Sequence, residues 1–217
     1  MVTLSHLLDP GWLGQVAAVV FLVWLLNLYN FMDGIDGIAG IEALTVCISG
    51  VMIYWWFGNL SSQWIPPMML IAATFGFLFW NFPRARIFMG DAGSAYIGLI
   101  IGLFTIQAAW VAPELVWSWT ILLGAFIVDS SVTLIRRVMR GDKFYEAHRS
   151  HAYQYASRKY GSHIRVSLAF GGINLLWLLP LAFLTAAGWL DGLLTLLIAY
   201  LPLIWLAFHF KAVSDRI

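Results

Sequence analysis

The amino-acid sequence predicts an all-α, polytopic integral membrane protein, and three observations lead there. Of its 217 residues, 61% are hydrophobic and 11% charged, with a mean hydropathy of +0.83, outside the range of a soluble globular domain. Apolar stretches of the roughly 20 residues that a membrane-crossing helix requires recur along the chain. They give about seven spans, near 12–30, 38–57, 64–82, 93–112, 117–134, 166–188 and 190–209. Finally, all twelve basic residues fall in alternate connections between these spans or in the tail.

Span one opens at Trp12 and closes on a polar run, Asn27 to Asp36; span two follows the Asp-Gly pairs and ends at Trp55 and Trp56. Span three begins at Trp64 and is followed by Arg84 and Arg86, and span four begins just past Asp91 and ends at Trp110. Span five starts at Trp117 and Trp119, carries Asp129, and leads into the basic loop 135–165 with Arg136, Arg137, Arg140, Lys143, Arg149, Arg158, Lys159 and Arg165. Span six contains Pro180, while span seven follows Trp189, contains Pro202 and runs into Lys211 and Arg216. Short loops rich in Lys and Arg stay on the cytoplasmic side, so the N-terminus is expected outside and the C-terminus inside. The tryptophans named here lie at the outer ends, at the headgroup level that Trp favours. A single cysteine, Cys47 in span two, rules out an internal disulfide. Residues 1–11 have no basic n-region and do not read as a signal peptide. One transmembrane domain over 1–217 is expected, with 135–165 as its one long extramembrane piece.

With that topology the polar residues converge on one membrane face. Asp33 and Asp36 lie at the start of span two, Asp91 of "FMGDAGS" at the start of span four, and His148 and His151 in the basic loop. Helix N-termini favour anions through unpaired N–H groups and the positive end of the dipole. Carboxylates there repel a phosphate unless a divalent cation lies between, and Mg²⁺ is commonly held by one or two carboxylates with phosphates and waters completing its shell. Gly34, Gly37, Gly90 and Gly93 flank the acids and allow close approach of backbone to a ligand. Asn27, Asn30, Asp33 and Asp36 step by three residues, so they share one site only if the helix breaks, with Phe31 to Gly34 the expected place. Competing readings are an Asp-Gly turn between two helices and, for "GDAGS", a Gly-rich turn with a capping Asp or Ser. The Arg and Lys of 135–165 are also explained by topology alone, but the histidines are not. For Asp129 an intramembrane pair with Arg136 and Arg137 is expected. Glu42 either lines the site or snorkels to the interface.

"NLYNFMDGIDGIAG", "NFPRARIFMGDAGSAYIG" and "HRSHAYQYASRKYGSH", in this order, resemble the polyprenyl-phosphate N-acetylhexosamine-1-phosphate transferases. The likeness is greatest to the bacterial enzymes that initiate O-antigen or other surface glycans, with the phospho-N-acetylmuramoyl-pentapeptide transferase as a more distant relative. The resemblance implies transfer of a sugar-1-phosphate from a UDP-N-acetylhexosamine to a polyprenyl phosphate, typically undecaprenyl phosphate, at the cytoplasmic face of the bacterial inner membrane. UMP is released, and Mg²⁺ is required, with Mn²⁺ as a substitute. It assigns Asp91 to the metal, Asp33 and Asp36 to the acidic pair of the active site, and Asn27 and Asn30 to polar contacts on the same segment. Phe88 matches an aromatic near the nucleobase. His148 and His151, with Arg149 between them, match a His-rich loop, although the spacing here is "HRSH". Membrane lipids are expected as partners, a homodimer is allowed, and no nucleic-acid partner is expected. The family also carries an adjacent Asp-Asp pair on an earlier loop and about ten or eleven spans. No Asp-Asp occurs here, so the chain is expected to be the C-terminal two-thirds of the full family fold.

Three other readings compete. CDP-alcohol phosphotransferases continue from Asp-Gly into Ala-Arg, whereas "GIAGIEALTVC" follows Asp36. A transporter or lipid carrier places its acids near the bilayer midplane, not at one interface. A catalytically incomplete chain that binds only nucleotide or metal is distinguished by assay alone.

Overall fold

The computed structural model describes residues 11–57, 62–141 and 151–214. Among them every regular element is helical: α1 (Gly11–Met32), α2 (Ile38–Trp56), α3 (Ile65–Asn81), α4 (Gly90–Val111), α5 (Pro113–Leu122), α6 (Gly124–Arg140) and α7 (Ala152–Tyr160). Then follow α8 (His163–Ile173), a π-helical turn (Asn174–Leu178), α9 (Leu179–Ala186) and α10 (Gly192–Ser214). His148 and Arg149 lie outside the described residues.

All seven expected apolar stretches are helical, but not all are single straight spans. Five are long and apolar enough to cross a membrane: α1, α2, α4, the continuous 163–186 rod and α10. The fifth expected span is instead two helices, α5 and α6, bent by 68° and counting as a sixth crossing only when taken together. α3 has 17 residues and is shorter than the others.

The bend has a physical cause in the chain. α5 is apolar and buries Ser118, whose hydroxyl donates to the Ala182 carbonyl at 2.9 Å. α6 has an apolar face and carries Asp129, Arg136, Arg137 and Arg140, so it cannot sit in lipid all round and leans away. At the joint, Gly124 admits the ring of Tyr200, whose hydroxyl donates to the Thr120 carbonyl at 2.7 Å. A backbone group at the break is thereby satisfied without water.

α1 packs along α4 through Gly98 and Gly102. A Cβ at Gly98 would run into the Leu25 carbonyl, and one at Gly102 into the Leu22 and Leu25 side chains. Small residues one turn apart let helix backbones meet closely in membranes, where dispersion and not water exclusion drives association. α2 is the central helix, buried over most of its length against α3, α5 and α8. Aromatics fill the middle: Tyr29 on Phe126 with ring centroids 5.0 Å apart, and Phe126 edge-on to Phe170. Trp119 corrects the sequence expectation of a lipid-interface residue. It is 1% exposed, and its indole N–H donates to the Tyr54 hydroxyl at 3.0 Å. Trp12, Trp55, Trp56, Trp110 and Trp189 are largely exposed, as a headgroup belt requires.

Glu42 neither lines the site nor snorkels. It is fully buried and accepts from Asn174 Nδ2 at 2.7 Å, while the same amide donates to Thr45 Oγ1 at 2.9 Å. Asn174 opens the π-helical turn, a local rewinding of the kind often found where a side chain has a special task.

Candidate active site

α1 ends at Met32, and residues 33–37 turn the chain into α2, so the break falls inside the expected segment. Gly37 adopts the left-handed region at φ 75°, which glycine enters without steric cost. Its N–H donates to Asn81 Oδ1 at 2.8 Å, and Asn81 Nδ2 donates to the Ile87 carbonyl at 2.8 Å. One buried amide thus ties the start of α2 to the segment leading into α4.

This and the following contacts bring the ends of α1 and α3 and the starts of α2, α4, α7 and α8 to one end of the bundle. Ser94, in the second turn of α4, donates to Asn30 Oδ1 on α1 at 3.2 Å. Tyr153 of α7 donates its hydroxyl to the Phe31 carbonyl at 3.1 Å. Ser167 of α8 donates to the Asp36 carbonyl at 2.7 Å. Acids of spans two and four therefore share one end, as expected.

Asp33 and Asp91 are close enough to influence each other. Burial first, then the negative charge of Asp91, pushes the Asp33 carboxyl from its ordinary 3.8 up to about 6. Asp91 is in the first turn of α4 and exposed. The N-cap of α4 is Met89, with no side-chain cap, so the reading of Asp91 as a capping residue fails. Among the described residues no group of three or more His, Cys, Asp or Glu side chains gathers to hold a metal. A cation here would rest on two carboxylates and take its other ligands from water and substrate, which is the habit of Mg²⁺. Phe88 is 81% exposed on the segment just before Asp91, so its ring is not committed to the core.

Asp36 faces elsewhere. Its Oδ2 lies 3.4 Å from His163 Nδ1 at the start of α8, with both side chains partly exposed. Asn27 sits a turn deeper on α1 and donates its amide to the Val23 carbonyl at 2.7 Å. His151 is buried, with Nδ1 3.5 Å from Asp129 Oδ1 and its ring near Phe31 at 6.3 Å.

Three sequence expectations change. The glycines at 34 and 37 serve close packing of protein on protein: a Cβ at Gly34 would strike the Tyr153 hydroxyl, and one at Gly37 the Phe82 ring. The N-terminus of α2 offers fewer free amides than expected, because Gly37 N–H goes to Asn81 and Ile38 N–H to the Ile35 carbonyl. Asp129 likewise has a task other than the expected arginine pair. Its two oxygens accept from the backbone N–H of Ala152 and Tyr153, each at 2.9 Å, and Thr133 Oγ1 donates to Oδ1 at 3.2 Å. Of the 135–165 stretch, the described residues give the end of α6, helix α7 and the start of α8. Sequence reasoning missed Asn81, Ser94, Asp129, Tyr153 and His163 as parts of this end of the molecule. Asn81, Ser94, Tyr153 and His163 meet partners 44, 64, 122 and 127 residues away, and Asp129 meets α7 at 23 and 24 residues; no local pattern marks them.

The family model for glycosyl transferase family 4 matches residues 1–109, half of the chain and both acidic segments. The chain belongs to glycosyl transferase family 4. Among curated members similar to it is a probable undecaprenyl-phosphate N-acetylglucosaminyl 1-phosphate transferase of Bacillus subtilis, 35% identical over 86 residues, 39% of this chain and 24% of that protein. A decaprenyl-phosphate N-acetylglucosaminephosphotransferase of Mycolicibacterium smegmatis is 41% identical over 71 residues, 31% of this chain and 17% of its own. A phospho-N-acetylmuramoyl-pentapeptide-transferase of Borrelia garinii subsp. bavariensis is 39% identical over 67 residues, 31% and 18% respectively. The matches thus span a quarter or less of these relatives' lengths. In this glycosyl transferase family 4 chain the matched half holds Asn30, Asp33, Asp36 and Asp91, whereas Asp129, His151, Tyr153 and His163 lie beyond it.

Proposed function

We propose that this family 4 membrane protein transfers an N-acetylhexosamine-1-phosphate from a UDP-sugar to undecaprenyl phosphate or a similar polyprenyl phosphate, releasing UMP. The observation that carries the reading is the convergence of Asp33 and Asp91 from two separate segments, where burial first and the charge of Asp91 second raise the Asp33 carboxyl to about 6. Two unneutralised carboxylates beside each other suit a partner that brings positive charge with it. Asp91, with Asp33 beside it, is the proposed seat of Mg²⁺ or its substitute Mn²⁺, which when bound supplies charge neutralisation to a diphosphate.

The remaining steps belong to the chain's own groups. Asn30, fixed by Ser94, has its amide nitrogen to offer a phosphate or sugar oxygen. Phe88, exposed next to Asp91, offers a face to the uracil ring. An oxygen of the lipid phosphate forms a bond to the β-phosphorus as the bond from that phosphorus to the bridging oxygen breaks, and the electron pair leaves with UMP. Catalysis of such a displacement is mainly positioning and electrostatics. His148 and Arg149 are proposed to act from the 142–150 segment, and His151 to act from behind, through Asp129 and α7. The site is proposed to face the cytoplasm of a bacterial inner membrane, in line with the basic connections. A role in initiating O-antigen or another surface polysaccharide is the pathway assignment that goes with this chemistry.

Release of UMP by the purified 217-residue chain in detergent tests the reading, with undecaprenyl phosphate, Mg²⁺ and a panel of UDP-N-acetylhexosamines. Magnesium-dependent release is expected, and Asp91→Asn should lower it by about 100-fold or more. Absence of release with every donor would overturn the assignment for this chain.

A further inference from the structure

We propose that Tyr153 is a positioning residue of this site: α7 is a brace that fixes the Asp33–Gly34 turn through the Tyr153 hydroxyl, and Asp129 fixes the brace. The inference rests on the transferase reading, since the turn it holds is the one that carries Asp33.

The phenol is 1% exposed, so its hydroxyl must be spent on protein. It donates to the Phe31 carbonyl at 3.1 Å, one of the carbonyls that a helix leaves without a partner at its C-terminal end. Gln154 Nε2 donates to the same hydroxyl oxygen at 3.2 Å. On its other side the hydroxyl lies directly against Gly34, leaving no room for a Cβ. One oxygen thus meets both the end of α1 and the residue after Asp33.

The other end of the brace is as tightly made. The first amides of a helix are ordinarily capped by a Ser, Thr, Asp or Asn at its own start. α7 has His151 there, and its first two amides are instead received by Asp129, whose oxygens take Ala152 and Tyr153 N–H at 2.9 Å each. The cap comes from α6, 23 and 24 residues earlier. His151 Nδ1 lies beside the same carboxylate, and the His151 N–H donates to Gln154 Oε1 at 3.2 Å. A continuous set of contacts therefore runs from α6 through Asp129 to Tyr153 and on to Gly34. Displacing a reacting group by about 1 Å costs on the order of 100-fold in rate, which is why such a brace matters to function. The plainer alternative is a core tyrosine whose hydroxyl happens to be satisfied.

Three measurements on the full chain in detergent separate the two. Tyr153→Phe keeps the ring and removes the hydroxyl; kcat for UMP release should fall about tenfold, with KM for the UDP-sugar changed by less than about twofold. Hydrogen exchange of the metal-free variant should quicken over residues 31–37 but not in the middle of α2. Gly34→Ala presses a methyl onto the hydroxyl, so its effects on melting and exchange should be smaller in the Tyr153→Phe background than in the wild type, a coupling that distant sites do not show. Tyr160→Phe, on the exposed end of α7, is the control that leaves all three unchanged. Additive effects of the two substitutions, or unaltered exchange over 31–37, overturn the proposal. So does a general rise in exchange with a lower melting temperature, which marks a purely structural tyrosine. If the wild-type chain releases no UMP, the transferase reading fails, while exchange and coupling still decide whether Tyr153 holds the turn.

Discussion

At Asp33 burial and a second carboxylate act in the same direction, and that sets a pH signature. The carboxyl rises from 3.8 to about 6 on folding, so between those values the folded protein binds more protons than the unfolded chain, and stability falls as pH rises through that window. Metal-free protein is expected to melt at progressively lower temperature from about pH 4 to about pH 6, and Asp33→Asn to flatten that part of the profile; a thermal scan in detergent at each pH checks it. Asp33, Asp36 and Asp91 are legible in the sequence because ionisable groups at the border of apolar stretches stand out chemically. Their partners are not. Nothing near Asp36 announces His163, and Tyr153 reads as one aromatic among many until the fold sets it against Phe31 and Gly34. Asp129 is visible as an oddity, but the expected salt link to nearby arginines is a local inference, whereas its actual use, receiving two amides of α7, depends on where α7 packs in the fold.

Helices and their crossings carry the next set of expectations. Because Gly98 lies against the Leu25 carbonyl, Gly98→Ala should separate α1 from α4 and destabilise by about 1–3 kcal/mol, seen as a lower unfolding temperature at fixed scan rate. Asn174→Leu removes the donor that serves Glu42 and Thr45 and should cost about 1–3 kcal/mol for the buried group left unmatched. Helix existence is written plainly in the apolar stretches, and the break after Met32 follows from three-residue steps that no continuous helix brings to one face. The 68° bend in the fifth stretch is not, since hydropathy averages over α5 and α6. It is the change from an apolar to an amphipathic pattern near Leu123, together with Tyr200 from a distant helix, that makes the joint. α7 is equally hidden, because in sequence it is a basic stretch that topology alone accounts for.

For the molecule as a whole, the candidate site residues of four elements meet at one end, and the exposed tryptophans Trp55, Trp56, Trp110 and Trp189 mark the other. In a Cys47→Ala background, Arg84→Cys and Arg158→Cys should react with a membrane-impermeant maleimide from one side of sealed vesicles, and Glu114→Cys and Trp189→Cys from the opposite side; labelling of all four from one side would contradict the seven-stretch topology. The length of α3 has a consequence of its own. Its 17 residues rise about 26 Å at 1.5 Å each, a few ångströms short of a hydrocarbon layer about 30 Å thick. A stretch that short makes the bilayer thin locally or the helix stand upright. Thinning would bring the lipid surface down beside Asn81, the residue that anchors Gly37. Under the proposed transferase reading, such a depression would lower the height over which a phosphate headgroup climbs to meet a water-borne nucleotide.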